Sequence, residues 1–83
     1  MKNVKIETLK ENVKGEKYYL LFKLSTESKS SYCIAVEDEE LSVEGIGNDA
    51  ENAEKMYNMI SCGEVSSIHI SEVVRDMQNE IFL

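Results

Sequence analysis

The residues best suited to chemistry lie near the end of the chain. His69 is the only histidine, in the heptapeptide SSIHISE at residues 66–72. A histidine acts as a general base only when a carboxylate or a nucleophile is held beside it. Cys62 lies seven residues earlier, but no local signature of a catalytic Cys–His pair accompanies it. This pattern favours a boundary residue at the margin of the core, without a catalytic role.

Metal binding is the second kind of chemistry that residues of these types can support. Cys33, Cys62 and His69 could supply three ligands, but their spacing matches no zinc pattern and a fourth ligand is not evident. The acidic segment VEDEELSVE, residues 36–44, lacks the alternating acids and central glycine of a calcium loop. The segment therefore favours a solvated hairpin tip. We assign no catalytic residue, no cofactor and no metal ligand, and we expect the chain not to be an enzyme.

The elements that must position these residues begin with strands. Alternation of apolar and polar residues with a period of two predicts strands in the first half of the chain. Leu9 falls out of step with Ile6, which predicts a bulge or a twist in the first strand. Gly15 can take the positive φ that a tight hairpin needs. We expect an antiparallel meander with strands at about 3–13, 17–26, 31–37 and 41–46.

Helical periodicity replaces the strand pattern after Gly47. Asn48 can cap a helix, with Glu51 three residues on, and Gly63 fits a left-handed helix end. Ser66 or Ser67 can cap a second helix. We expect helices at about 49–62 and 67–81. Strands followed by helices predict a single α+β domain over residues 1–83, with both helices packed on one face of the sheet.

The second strand is apolar on both faces, which predicts a central strand or a face that meets a partner. We expect the helices to cover the face of Tyr18, Leu20 and Phe22. The opposite face would then form an uncovered apolar strip, and such strips mark contacts with other chains. The predicted interface residues are Tyr19, Leu21, Cys33, Ala35 and the apolar C-terminal residues Phe82 and Leu83.

Composition limits the partners and the compartment. The net charge is −7, and residues 31–83 alone hold twelve acids against one lysine and one arginine. Phosphate binding needs a concentrated basic surface, so we expect no nucleic-acid partner. No apolar run approaches the roughly 20 residues of a membrane-spanning helix, and the N-terminus lacks the apolar segment of a signal peptide. We therefore expect a cytoplasmic protein, without a membrane partner, whose two cysteines stay reduced.

Two segments carry a resemblance to a known group of proteins. They are YYLLF at residues 18–22 and VSSIHISEVVRD at residues 65–76. They resemble a small family of proteins of unknown function from Clostridia and related Firmicutes, whose closing segment has the type V-S/T-P-I-H-L-x-D-V-V-x-D. Ser67 stands where that family often has proline, and Glu72 where it often has aspartate. The resemblance implies a cytosolic protein and transfers no activity.

Two functions follow as hypotheses. The first is a non-enzymatic protein-interaction module that binds another protein or a second copy of itself, because a chain of this length buries a small core. The alternative is a regulator that binds a small ligand or a metal through His69 and Cys62, or through the acidic 37–44 loop.

Overall fold

Short turns join four strands into an antiparallel meander in the order β1–β2–β3–β4, and two helices follow. The structure, a computed structural model, describes residues 3–80. The predicted α+β class, the meander and the two later helices are confirmed; the predicted helix end at 81 lies outside the described residues. The elements are β1 (Lys5–Lys14), β2 (Lys17–Ser25), β3 (Ser30–Glu37), β4 (Leu41–Gly47), α1 (Ala50–Cys62), a short 3-10 helix (Ser67–His69) and α2 (Ile70–Glu80).

The first hairpin follows from two local features of β1. The β1–β2 register shifts between Thr8 and Lys10, which makes Leu9 the extra residue of the predicted bulge. Lys14 pairs with Lys17, so the loop has two residues, and Gly15 takes φ 61°. A positive φ at the first loop residue alone is the feature of a type II′ turn, whose twist matches that of the flanking strands.

The helices cover the opposite face of β2 from the one predicted. Tyr19 and Leu21 are 0% and 2% exposed. They join a core made by both layers, whose other buried members are Tyr32, Ile34, Val36, Ile46, Ala53, Met56, Tyr57, Ile60, Ile70 and Val74. Tyr19 and Leu21 are therefore wrong as interface residues, because the helices of the same chain bury them.

The length of the β2–β3 turn explains this error. Ser25 pairs with Ser30, so four residues lie between the strands, and Thr26 closes the turn by donating its amide to the Lys29 carbonyl at 2.8 Å. Side chains alternate along a strand, so this loop length brings the odd-numbered residues of β2 beside the even-numbered ones of β3. The large residues Ile34 and Val36 thus share a face with Leu21 and Tyr19. A turn one residue longer or shorter would have paired the faces as predicted.

Tyr19 connects the sheet to the helical layer through hydrogen bonds as well as packing. Its hydroxyl donates to the carbonyl of Val65, in the loop after α1, at 2.8 Å. Its own carbonyl accepts from the hydroxyl of Tyr57 on α1 at 3.2 Å. Burial raises the pKa of both phenols, so both remain neutral donors at physiological pH. Buried polar groups are thereby satisfied within an apolar core.

α1 ends at Cys62 as predicted, but its N-cap and its left-handed residue each lie one position later than predicted. Asp49, and not Asn48, is the N-cap, and its carboxylate accepts from the Asn52 amide at 3.0 Å. A carboxylate here also interacts favourably with the helix dipole. At the other end Gly63 has an ordinary φ of −81°, whereas Glu64 takes the left-handed φ of 52°. The Glu64 and Val65 amides then bond to the carbonyls of Ser61 and Ile60, each at 3.2 Å, as in a Schellman motif.

Removing the Tyr19 hydroxyl tests this connection. We expect Tyr19→Phe to lower the free energy of unfolding by about 1 kcal/mol, because the Val65 carbonyl loses its donor while the ring still fills the core. Urea unfolding followed by circular dichroism measures the change. Tyr18→Phe is the matched control, since the Tyr18 hydroxyl bonds at the surface to Glu11 and its loss should matter less. Equal losses in the two variants would contradict the assigned role of Tyr19.

The left-handed Glu64 gives a second prediction. We expect Glu64→Gly to raise the free energy of unfolding by about 0.5–1 kcal/mol, because relief of the left-handed strain exceeds the extra entropy of an unfolded glycine. Gly15→Ala should shift stability in the opposite direction, by about 1 kcal/mol, because alanine is strained at φ 61°. Thermal melts of the two variants check both signs. A stabilising Gly15→Ala would show that the hairpin does not need its positive φ.

Candidate functional site

The structure separates the residues considered for metal binding or catalysis. His69 ends the 3-10 helix and is exposed, with its Nδ1 atom 3.8 Å from Oε2 of Glu72. Cys62 is exposed at the end of α1. Cys33 lies on the other side of the sheet, beside Phe22 in the β2–β3 register, and burial raises the pKa of its thiol. Among residues 3–80, no three His, Cys, Asp or Glu side chains are grouped so that they could hold a metal ion.

One carboxylate of the acidic segment has a defined partner. Asp38, in the β3–β4 turn, accepts from the Ser67 hydroxyl at 2.6 Å and from the Ser67 amide at 3.0 Å. Its Oδ1 atom also accepts from the Glu40 amide at 3.1 Å. The hydroxyl of Ser42, on β4, donates to the Ser67 carbonyl at 2.9 Å. The start of the 3-10 helix is thus held to the sheet by side chains of the β3–β4 hairpin.

The hydrogen bonds of Asp38 explain both its pKa and its role at the start of the 3-10 helix. Hydrogen bonds from the Ser67 hydroxyl, then from the amides of Ser67 and Glu40, lower the pKa of Asp38 to about 2. A carboxylate with so low a pKa has little tendency to take a proton from the Ser67 hydroxyl at neutral pH. Asp38 caps the 3-10 helix by accepting the Ser67 amide. Ser66 or Ser67 was expected to be the cap, but the Ser66 side chain makes no cap hydrogen bond. Asp38 and Ser67 also line an adjacent cleft of about 420 Å³, and there their side chains are already bonded to each other.

The face of the sheet opposite the helices has a different character. It is called here the open face, and the strand register arranges its side chains in rows that cross the sheet. The rows are Val13, Tyr18, Glu37 and Leu41; Glu11, Leu20, Ala35 and Val43; Thr8, Phe22, Cys33 and Gly45; and Ile6, Leu24 and Ser31. Only the two glutamates in this set are charged, and both lie toward one end. The two central rows are mostly apolar.

Exposure shows that this apolar surface faces solvent. Ile6, Val13 and Leu41 are 70%, 65% and 64% exposed, and Val43 is 49% exposed. Leu20, Phe22 and Leu24 of β2 are only half-buried. Single exposed apolar residues are common on protein surfaces, whereas a set that extends across four strands makes the open face a candidate contact surface.

The predicted interface residues fall into three groups. Cys33 and Ala35 lie on the open face, Tyr19 and Leu21 lie in the core on the other side of the sheet, and Phe82 and Leu83 lie outside the described residues. The prediction missed Leu20, Phe22 and Leu24, together with the exposed residues of β1 and β4. The four residues of the β2–β3 turn were the signal that could have placed them correctly.

The outer edge of β1 is protected against pairing with another strand. Lys5, Lys10 and Lys14 lie along it, and the bulge at Leu9 interrupts its regular hydrogen-bonding pattern. The ammonium group of Lys10 contacts Oε1 of Glu54 on α1 at 3.0 Å. Lysines and bulges on edge strands are common devices against edge-to-edge association. The open face is therefore a better candidate for contact than this edge.

Comparisons with known proteins supply no relative from which a function could be inferred. No family model matches the chain, and searches of curated proteins and of solved structures found no match either. Within residues 3–80, neither helix combines the length and the apolar character that crossing a bilayer requires.

The Asp38 contact predicts a specific sensitivity to acid. Its folded-state pKa of about 2 lies below the ordinary value of 3.8, so its contribution to stability is complete above about pH 4 and is lost as the pH falls toward 2. We expect Asp38→Asn to lower the melting temperature at pH 7 and to flatten its decline over that acidic interval. Asp76→Asn, an exposed carboxylate on α2, is the control and should keep the wild-type decline. Superimposable acid profiles for all three proteins would show that Asp38 does not carry this linkage.

Proposed function

We propose that this chain is a non-enzymatic protein-interaction module of the cytoplasm that associates with a second copy of itself through the open face. The observation that supports this is the apolar surface of the open face, which crosses all four strands and is left uncovered by the helices. Within residues 3–80, the packed cluster of buried apolar residues lies on the other side of the sheet. A second sheet packed on the open face would complete the layered arrangement that buries both faces of a sheet.

The size of the open face supports a dimer of modest affinity. Four strands spaced about 4.8 Å apart, with about eight residues each at about 3.3 Å, give a face of roughly 500 Å² per copy. A dimer would bury about 1,000 Å² in total, near the lower limit for a specific interface. Association in the micromolar range is therefore expected rather than a permanent assembly.

Charge distribution is compatible with this pairing. Apart from Glu11 and Glu37, the rows of the open face contain no carboxylate or ammonium group. Pairing of two copies would therefore remove water from the centre of the face without burying a charge there. Glu11 already accepts a hydrogen bond from the Tyr18 hydroxyl at 2.6 Å, which is the main reason that the pKa of Tyr18 is raised. Membership of the Clostridial family suggested by residues 18–22 and 65–76 remains part of this proposal.

A charge placed at the centre of the open face tests the proposal. We expect the wild-type dimer to have a dissociation constant of about 10–100 µM. Phe22→Lys should raise this dissociation constant at least about tenfold, because two ammonium groups would be buried in each dimer. Sedimentation equilibrium measures both constants. The fold should persist, since Phe22 is half-buried and a lysine there can reach water.

Two comparison variants separate interface effects from folding effects. Met59→Lys places the same charge on α1, where Met59 is 44% exposed, and should leave dimerisation unchanged. Leu21→Lys should unfold the chain, because Leu21 belongs to the core. A wild-type protein that stays monomeric throughout this range would rule out the homodimer and would leave a different protein as the occupant of the open face.

A further inference from the structure

The open face has a ridge and a trough that run side by side along the strands. The ridge is β2, whose open-face side chains are Tyr18, Leu20, Phe22 and Leu24. The trough is β3, where the positions that pair with Leu24, Phe22 and Leu20 hold the small residues Ser31, Cys33 and Ala35. Glu37, which pairs with Tyr18, lies at one end of the trough. Cys33 and Ala35 are only 8% exposed although no element within residues 3–80 covers them, because the larger side chains of Phe22 and Leu20 stand beside them on β2. On β4, Ala35 is flanked by Val43 and Cys33 by Gly45. The relief of the surface is therefore set by side-chain size.

Ridge and trough lie on adjacent strands, which makes the open face complementary to itself. We propose, on the basis of the proposed dimer, that its two-fold axis runs parallel to the strands along the boundary between β2 and β3. Rotation about this axis places the β2 ridge of each copy over the β3 trough of the other. Leu20 then faces the partner's Ala35, Phe22 faces the partner's Cys33, and Leu24 faces the partner's Ser31.

Other orientations fit less well. A two-fold axis perpendicular to the strands within the same plane would place ridge on ridge, so that Leu20 and Phe22 meet bulky residues while both troughs stay empty. Close packing disfavours such voids and collisions. In the proposed arrangement Tyr18 lies opposite the partner's Glu37, which puts a phenol and a carboxylate together at the solvated end of the interface. An isologous contact of this kind closes at two copies and does not propagate into a filament.

Reciprocal changes of size on separate chains test the axis. One variant is Leu20→Ala, which removes part of the ridge, and the other is Ala35→Leu, which fills the trough. Each homodimer is then mismatched at both contacts: two cavities in the first and two collisions in the second. In a mixed dimer the shortened side chain at position 20 of one copy faces the enlarged side chain at position 35 of the other. The second contact of that mixed dimer is an unaltered pair of Leu20 and Ala35.

We therefore expect the mixture to favour the heterodimer by about tenfold over random pairing, while each variant alone dimerises more weakly than wild type. Native mass spectrometry resolves the three dimers by mass, and thermal melts confirm that each variant is folded. Leu20 and Ala35 are also neighbours within one chain, but the two changes sit on different chains, so repacking inside a chain cannot produce the preference. The pair Leu24→Ala and Ala35→Leu is the control and should show no more than a small preference.

The outcomes separate this inference from the proposed function. A heterodimer preference for the first pair and not for the control supports the axis between β2 and β3. A wild-type dimer with random pairing of the variants would overturn this axis and leave the interaction module standing. A monomeric wild-type protein would overturn both this axis and the homodimer, and would leave a different protein as the occupant of the open face.

Discussion

The structure depends on the burial of Tyr19 between the sheet and the helices. Its ring is 0% exposed, its hydroxyl bonds to Val65 after α1, and its carbonyl receives the hydroxyl of Tyr57. These contacts join residues that are 46 and 38 positions apart in the chain. Once Tyr19 is fixed on the helical side, the alternation of side chains puts Leu20 and Phe22 on the open side. The core and the candidate interface are therefore two consequences of one orientation of β2.

Local signals were enough to predict the elements and their order. The period of two in β1–β4, the period of a helix in α1 and α2, and the glycine at position 15 each act over a few residues, so they can be recognised without the fold. The bulge at Leu9 was visible for the same reason, as a break in that period. The α+β class follows from the order of the elements alone.

The orientation of the sheet could not be predicted from these local signals, because β2 is apolar on both faces. Its choice of face depends on which residues of β3 stand beside it, and that depends on whether the intervening turn has an even or an odd number of residues. Two predictions about helix ends were also wrong. Asp38 replaces a local serine as the cap of the 3-10 helix from 29 residues away, and Glu64 takes the left-handed position that glycine normally fills. The Asp38 contact is tertiary and leaves no pattern in the sequence around Ser67.

The order of the elements also has a consequence for the chain as it is being synthesised. Each strand pairs with its predecessor, so the meander forms from contacts that are close in sequence, and such contacts form rapidly. The helices that shield Tyr19 and Leu21 are translated only afterwards. For that interval a nascent sheet would present apolar residues on both sides, the condition in which partly folded chains aggregate. The lysines and the bulge of β1 are already present at that stage, so the edge of the sheet that is synthesised first already carries features that hinder pairing with another strand.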